Sequence, residues 1–166
     1  MNQQTIDMLT DMKLSAMAAE FAVQLKDSSF NALSFEERFS MAVTAKWNKR
    51  QTSKVNRLIK KAHLGAPSAT VEGIEYYEDR KLDKSQMLRL STCKYIDEGH
   101  HVILEGASGN GKTYIASTLG NAACRRFKKV TYIRMPELLD ELAIARSSGE
   151  LKKLLASYKK VDLLIL

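Results

Sequence analysis

The sequence has no long hydrophobic run and contains only two cysteines. A helix that crosses a bilayer needs about 20 consecutive apolar residues, so no membrane-spanning segment and no membrane partner are expected. The first residues, MNQQTID, lack the basic and apolar regions of a signal peptide. Cys93 and Cys124 form no C-x-x-C pair, so we expect reduced, buried thiols and a cytoplasmic location.

Acidic residues are absent from one long basic stretch. No Asp or Glu occurs between Lys46 and His63. The basic residues of this stretch are Lys46, Lys49, Arg50, Lys54, Arg57, Lys60 and Lys61. Together they carry as much charge as the whole chain, whose formal net charge is +7. This clustering favours a polyanionic partner such as duplex DNA, bound through its phosphates, and the alternative is a solvated helix face.

The basic stretch lies in a segment that the sequence predicts to be one long helix. Ser34 followed by Glu37 forms a capping box, which predicts a helix from Ser34 to about Leu64. At about 100° per residue, the basic residues fall in one sector of its distal half. The opposite sector, expected to pack against protein, contains Trp47, Val55, Leu58, Ile59 and Ala62. A second basic cluster, 125–129, ends a later helix, where cations are favoured for structural reasons.

From residue 100 onward, short apolar runs alternate with helical patterns. Strands are expected at 102–104, 130–133 and 161–166, and helices at 113–127, 136–146 and after Gly149. This alternation predicts an α/β fold with a parallel sheet. We therefore expect a helical N-terminal domain over 1–64, a linker with short helices over 65–99, and an α/β domain with three strands over 100–166.

One glycine-rich motif follows the first of these strands. Its residues are Gly106, Ala107, Ser108, Gly109, Asn110, Gly111, Lys112 and Thr113, in the pattern G-x-x-x-x-G-K-T. The glycines let successive backbone amides face a phosphate, Lys112 reaches the β- and γ-phosphates, and the Thr113 hydroxyl ligates Mg²⁺. With an apolar strand before it and a helix after it, the motif predicts an ATP–Mg²⁺ site.

The acidic residue that usually accompanies such a site has no clear counterpart. An apolar strand ending in Asp or Glu is expected, but in 161–166 the acid, Asp162, stands at the beginning of the run. Asp162 is therefore interpreted as structural, and no catalytic residue is assigned. The three histidines have no ligand-like spacing with the cysteines, so no metal is expected other than nucleotide-bound Mg²⁺.

The chain resembles the IstB-like transposition helper ATPases of the AAA+ class, which are related to the DnaC-type helicase loaders. The resemblance covers nearly the whole sequence. Its segments are Leu9–Met17, LSFEERFSMAVTAKW, RLIKKAHL, Arg80–Asp83, Gly106–Thr113, Asn121–Cys124 and the final DLLIL. The phosphate loop is shared by many ATPases. The helical region that precedes it, at this spacing, is the part of the resemblance that is specific to the family.

The resemblance implies an ATPase that assembles on duplex DNA, acts with a transposase and forms a homo-oligomer in the full-length protein. It also implies that the chain is the N-terminal part of such a protein and stops before the Walker B acids, the sensors and the arginine finger. The segment 100–166 would then be a partial P-loop ATPase domain that contains the first three strands. In that class the strand entering the phosphate loop pairs with two later strands, so 102–104 would have unpaired edges and favour aggregation. A helicase loader and an inactive remnant that only binds nucleotide remain alternatives.

Overall fold

The computed structural model describes residues 2–78 and 81–166, so Arg80 of the family-like segment lies outside the described residues. The chain divides into two compact units, Met1–Lys54 and Val55–Leu166. Most of the described chain is helical, and a small parallel sheet lies in the second unit. In the part of the chain that is described, no helix is both long and apolar enough to cross a membrane.

The first unit is built from helices that follow one another closely. They are α1 (Asn2–Asp11), α2 (Ser15–Lys26), a 3-10 helix (Ser28–Ala32) and the first part of α3 (Phe35–Ala62). A break separates α1 from α2, where Lys13 adopts a positive φ of 61°. Buried Gln24 of α2 donates a hydrogen bond to the carbonyl of Arg38 at 3.0 Å, which ties α2 to α3.

The capping box at the beginning of α3 is confirmed. The Ser34 amide donates to the Glu37 carboxylate at 2.8 Å, and the Glu37 amide donates to Ser34 Oγ at 3.2 Å. The two bonds satisfy donors that would otherwise have no partner in the first turn. The helix then runs to Ala62, two residues short of the expected end.

In its described residues, the second unit combines the end of α3 with five further helices and two strands. The elements are α4 (Lys84–Ser91), α5 (Lys94–Asp97), α6 (Lys112–Arg125), β1 (Val130–Tyr132), α7 (Met135–Ser147), α8 (Leu151–Tyr158) and β2 (Leu163–Ile165). Asp83 caps α4 by accepting a hydrogen bond from the Ser85 amide at 2.7 Å. The strands β1 and β2 are parallel, with Val130 opposite Leu163 and Tyr132 opposite Ile165.

The core of this unit forms where α6 packs on the sheet. Ala62, Leu64, Cys93, Ala123, Cys124 and Val130 make up a buried cluster. Gly120 allows the close approach, because a Cβ there would lie 2.7 Å from Leu64 Cδ2 and 2.9 Å from Ile165 Cδ1. Leu58 and Ile59 of α3 pack against the same cluster, as their helical spacing predicts.

The expected buried strand at 102–104 is not formed. Residues 101–107 have no regular secondary structure, and Ile103 is 81% exposed. Among the described residues, the sheet contains only β1 and β2, so no neighbouring strand is hydrogen-bonded to this segment. A single extended segment without a ladder partner cannot satisfy its backbone groups within a sheet, which accounts for the difference.

Candidate functional site

The glycine-rich loop forms a turn that ends at the N-terminus of α6. Gly106, Gly109 and Gly111 have φ angles of 151°, 83° and 75°, a region that side chains other than glycine rarely adopt. Gly111 is the residue that precedes the first turn of α6, and its carbonyl accepts the first helical bond, from Ile115, at 3.0 Å. The amides of this first turn have no intrahelical acceptor, so they form a positive end suited to an anion.

Lys112 lies inside the curve of the loop. Its ammonium donates hydrogen bonds to the carbonyls of Gly106 and Ala107, both at 2.7 Å. These contacts hold the charge over the loop, where phosphate oxygens would replace the carbonyls as its partners. Ala107, Ser108, Gly109 and Asn110 are exposed, and Thr113 presents its side chain at the exposed beginning of α6. The loop therefore has the cation, the open backbone and the hydroxyl that a nucleotide–Mg²⁺ ligand needs.

Two cavities flank the loop on different sides. One, of 530 Å³, lies between residues 73–75 and residues 109–111, with Tyr114 and Ile115 on its wall. The other, of 540 Å³, is lined by Lys112 and Thr113, by residues 100–104 and by residues 163–166 of the sheet end. The sequence pattern did not indicate residues 73–75, because nothing local marks them as neighbours of a loop more than 30 positions away.

A linker from residue 65 to residue 69 is fastened to α6 close to the loop. The buried side chain of Asn121 donates to the carbonyls of Pro67 and Ala69, each at 3.0 Å. The amide of Ala66 donates to Ser117 Oγ at 3.1 Å. A Cβ on Gly65 would lie 2.8 Å from Thr113 Cγ2, so the linker backbone fits tightly against the loop threonine. The linker thus supports the residue expected to ligate magnesium.

The seven basic residues lie on α3, which is continuous from Phe35 to Ala62. Lys49, Arg50, Lys54, Arg57, Lys60 and Lys61 are exposed. Lys46 differs, because it is only partly exposed and its ammonium donates to the carbonyl of Lys13. Four of the seven residues, up to Lys54, belong to the first unit and three to the second.

Trp47 is largely exposed and not buried against protein, contrary to the expectation from its helical spacing. The residue is 61% exposed, whereas Ala62, on the same predicted face, is fully buried. Trp47 lies at the edge of its predicted sector, only about 20° from Lys54 at 100° per residue. The helix therefore turns Trp47 toward the basic side.

The second basic cluster makes contacts that fit a structural role. Arg125 donates to the side-chain oxygen of Asn121 at 3.3 Å, and Arg126 donates to the carbonyl of Ser91 at 3.4 Å. Lys128 forms an ion pair with Asp97, and this hydrogen bond raises the pKa of the lysine. The first contact lies within α6, and the other two tie its C-terminal end to α4 and α5.

Asp162 also has structural contacts. Its carboxylate accepts a hydrogen bond from the Lys129 amide at 2.6 Å, and its own amide donates to the Lys129 carbonyl at 2.8 Å. The residue thereby joins the beginnings of β1 and β2. The phosphate loop lies at the opposite end of the sheet, beside Leu166, so Asp162 is not positioned to help a nucleotide react.

A glycine loop with a lysine and a threonine at the start of a helix, packed on a parallel sheet, defines the class of P-loop nucleotide-binding proteins. Residues 7–166 match the family of IstB-like ATP binding proteins. The chain belongs to this family.

Several relatives named for insertion sequences are similar over nearly the full chain. An ATP-binding protein of insertion sequence IS1162 from Pseudomonas fluorescens is 34% identical over 166 residues, which are 100% of this chain and 72% of that protein. Insertion-sequence ATP-binding proteins y4pL and y4uH of Sinorhizobium fredii are 32% and 30% identical, with 98% of this chain and 66% and 65% of theirs covered. The chain therefore spans about two thirds of the length of these relatives.

Proposed function

We propose that this chain binds ATP with Mg²⁺ at residues 106–113 and duplex DNA along α3, as part of a helper protein that acts with a transposase. The observation that carries the nucleotide part is the position of the Lys112 ammonium inside a loop of positive-φ glycines at the beginning of α6. The insertion-sequence names of the relatives support the role in transposition. Oligomerisation of a longer protein belongs to the same proposal.

Three kinds of group would bind the nucleotide and its metal ion. Backbone amides of the loop and of the first turn of α6 would surround the phosphates, Lys112 would neutralise them, and Thr113 would give one oxygen to Mg²⁺. Bound Mg²⁺ would neutralise charge on the triphosphate. Asp162 is bonded at the far end of the sheet, so we expect this chain to bind ATP weakly and to hydrolyse almost none.

Binding is tested by titrating the chain with MgATP in a calorimeter. Lys112→Ala should abolish the binding heat, because it removes the only side-chain cation of the loop. Lys152→Ala, which removes an exposed lysine of α8, is the matched control and should bind like the parent chain. An unchanged affinity of the Lys112 variant would refute the site.

The Thr113 assignment needs a separate measurement. Thr113→Val keeps the branched shape that fits against Gly65 but removes the hydroxyl. The parent chain should bind ATP more tightly with Mg²⁺ than with EDTA, and the variant should lose this difference. If Mg²⁺ still strengthened binding to the variant equally, the ligand would be another group.

Hydrolysis is tested by steady-state phosphate release. We expect no release above background from this chain. Release that disappears with Lys112→Ala would contradict the expectation of an inactive site.

The DNA part rests on the charge pattern of α3. Its distal half presents exposed cations with no Asp or Glu between Lys46 and His63. Such contacts would be made to phosphates and would not depend on the base sequence. Each phosphate contact should steepen the dependence of log K on log salt by about 0.9.

A triple variant, Arg50→Gln, Arg57→Gln and Lys61→Gln, should flatten that slope by roughly 2 to 3 and weaken two unrelated duplexes alike. The control replaces Lys152, Lys159 and Lys160 with Gln, which changes the net charge equally at exposed positions outside α3. Fluorescence anisotropy of labelled duplexes at several salt concentrations gives the slopes. Equal slopes for the two triple variants would mean that α3 presents only a solvated face.

A helicase-loader role is favoured by one feature, an exposed aromatic pair at the beginning of α3. The rings of Phe35 and Phe39 stack with centroids 5.9 Å apart, and both side chains are exposed. Exposed apolar patches of this kind often bind protein. A complex with a replicative helicase that forms without DNA and is lost with Phe39→Ser would support this second function.

A further inference from the structure

We propose that Trp47 contacts nucleobases: its indole stacks on an unpaired base while the neighbouring cations of α3 hold the phosphates. The proposal rests on the DNA binding proposed above and adds a preference for DNA with exposed bases. It concerns the first unit alone, where Trp47 lies among Lys49, Arg50 and Lys54.

The exposure of Trp47 is the first observation. The indole has a large apolar surface, and burying such a side chain is normally favourable by a few kcal/mol. Trp47 is nevertheless 61% exposed on a well-formed helix. It is the single tryptophan of the chain. An aromatic ring held out on a helix in this way offers a flat face to a ligand.

The surroundings of Trp47 indicate what kind of ligand. Along α3, Arg50 lies about 60° around the helix axis from Trp47 and one turn further on, and Lys54 lies about 20° away and two turns further on. No carboxylate occurs in the sequence from Lys46 to His63. An aromatic face beside a row of cations matches the way proteins bind single-stranded nucleic acid, with bases stacked and phosphates neutralised.

A protein surface is the competing partner. The exposed residues Phe35, Phe39 and Val43 lead toward Trp47 in steps of four residues, and Phe35 stands next to Glu36 and Glu37. Trp47 differs from these three residues, because every charged residue that follows it on α3 is basic. The charge around the ring therefore complements a polyanion better than a mixed protein surface.

The geometry has a consequence for the form of DNA that binds. In a fully paired duplex both faces of each base are covered by stacking, so an indole needs an unpaired or opened position. Trp47 should therefore add affinity for a single strand, or for a duplex with a central unpaired region, and little for a matched duplex. Because every base has an aromatic face, the preference should not depend on sequence.

The experiment uses the 166-residue chain and the fluorescence of its own tryptophan. Three DNAs of equal length are titrated: a matched duplex, the same duplex with a central unpaired bubble, and one single strand. We expect emission from Trp47 to be quenched, and shielded from acrylamide, by the bubble and the single strand. The matched duplex should bind with little change in emission.

Labelled DNA gives the affinity independently of the tryptophan. Trp47→Leu should weaken binding to the bubble and the single strand by about 5- to 150-fold, the range for one stacked base. It should leave the matched duplex and the salt slope unchanged, because no charge is removed. Phe39→Leu, at another exposed aromatic position of α3, is the matched control and should change neither affinity. Far-UV circular dichroism confirms that both variants fold.

The two proposals fail in different ways. If anisotropy reports bound DNA but Trp47 emission does not change with any of the three, the base contact is refuted while DNA binding stands. Equal loss of affinity for all three DNAs with Trp47→Leu would likewise refute stacking. If none of the DNAs binds, both proposals fail.

Discussion

Asn121 is the residue through which helix α6 holds the linker that follows α3, and its replacement by alanine should destabilise the second unit measurably. Its side-chain amide donates to the carbonyls of Pro67 and Ala69 at 3.0 Å each. The residue is only 4% exposed, so water cannot readily take over either bond. Alanine removes both donors and leaves the two carbonyls without them.

The size of the effect follows from these two bonds. A neutral hydrogen bond contributes about 0.5 to 1.5 kcal/mol, and more where a buried acceptor is left without a partner. Two bonds therefore give a loss of about 1 to 3 kcal/mol. Alanine is the better helix former by roughly 0.5 kcal/mol, which offsets part of the loss. We expect the free energy of unfolding to fall by about 1.5 kcal/mol.

Urea unfolding followed by circular dichroism measures this difference. Asn56→Ala is the matched control, because Asn56 is an exposed helical asparagine of the same unit. It should leave stability unchanged or raise it slightly. If Asn121→Ala cost less than about 0.5 kcal/mol relative to this control, the linker would not be held by these bonds in solution.

A second variant tests whether Asn121→Ala acts by releasing the linker or by destabilising α6 in general. Ser117 accepts from the Ala66 amide at 3.1 Å and acts on the same linker. If Asn121 and Ser117 hold one segment, the effects of Asn121→Ala and Ser117→Ala should not add, since the first change already releases the linker. Additive losses would show that the two residues stabilise the unit independently.

Three further changes have defined expected outcomes. Ser34→Ala removes one bond of the capping box and should lower the free energy of unfolding by about 1 kcal/mol in urea titrations, and an unchanged midpoint would contradict it. Ile103→Lys places a charge on an exposed apolar segment that is in no strand and should reduce self-association in light scattering, and an unchanged scattering intensity would contradict it. Burial, together with the nearby Cys93, raises the pKa of the Cys124 thiol to about 11, whereas the unfolded thiol ionises near its ordinary pKa of 9.0. Stability should therefore be constant below pH 9.0 and fall toward pH 11, less steeply in Cys124→Ala.

Features that depend on residues close in sequence could be predicted from the sequence. The capping box needs only Ser34 and Glu37, and the cap of α4 needs only Asp83 and the amide of Ser85. The parallel pairing of β1 and β2 also follows from a local pattern, because two apolar runs separated by helices leave few other topologies. In each case the physical cause acts within a few residues or one crossover.

Two expectations required more than local information. The apolar residues Val102, Ile103 and Leu104 have the composition of a strand, but a strand also needs a hydrogen-bonded neighbour, and none is present among the described residues. Trp47 has the helical spacing of a core residue, but packing depends on whether another element covers that side. Periodicity can assign a residue to a face of a helix, and it cannot establish what lies opposite that face.

The hydrogen bonds from Asn121 to the linker show why sequence patterns could not predict the surroundings of the phosphate loop. Asn121 and Pro67 are more than 50 residues apart, and either one alone is an ordinary helical or loop residue. Their contact exists because Gly120 lets α6 approach the sheet and Leu64 closely, which brings the linker alongside the helix. The same packing places the backbone of Gly65 against the side chain of Thr113. The motif 106–113 therefore predicts which groups bind phosphate, whereas the position of its threonine depends on packing formed by residues outside the motif.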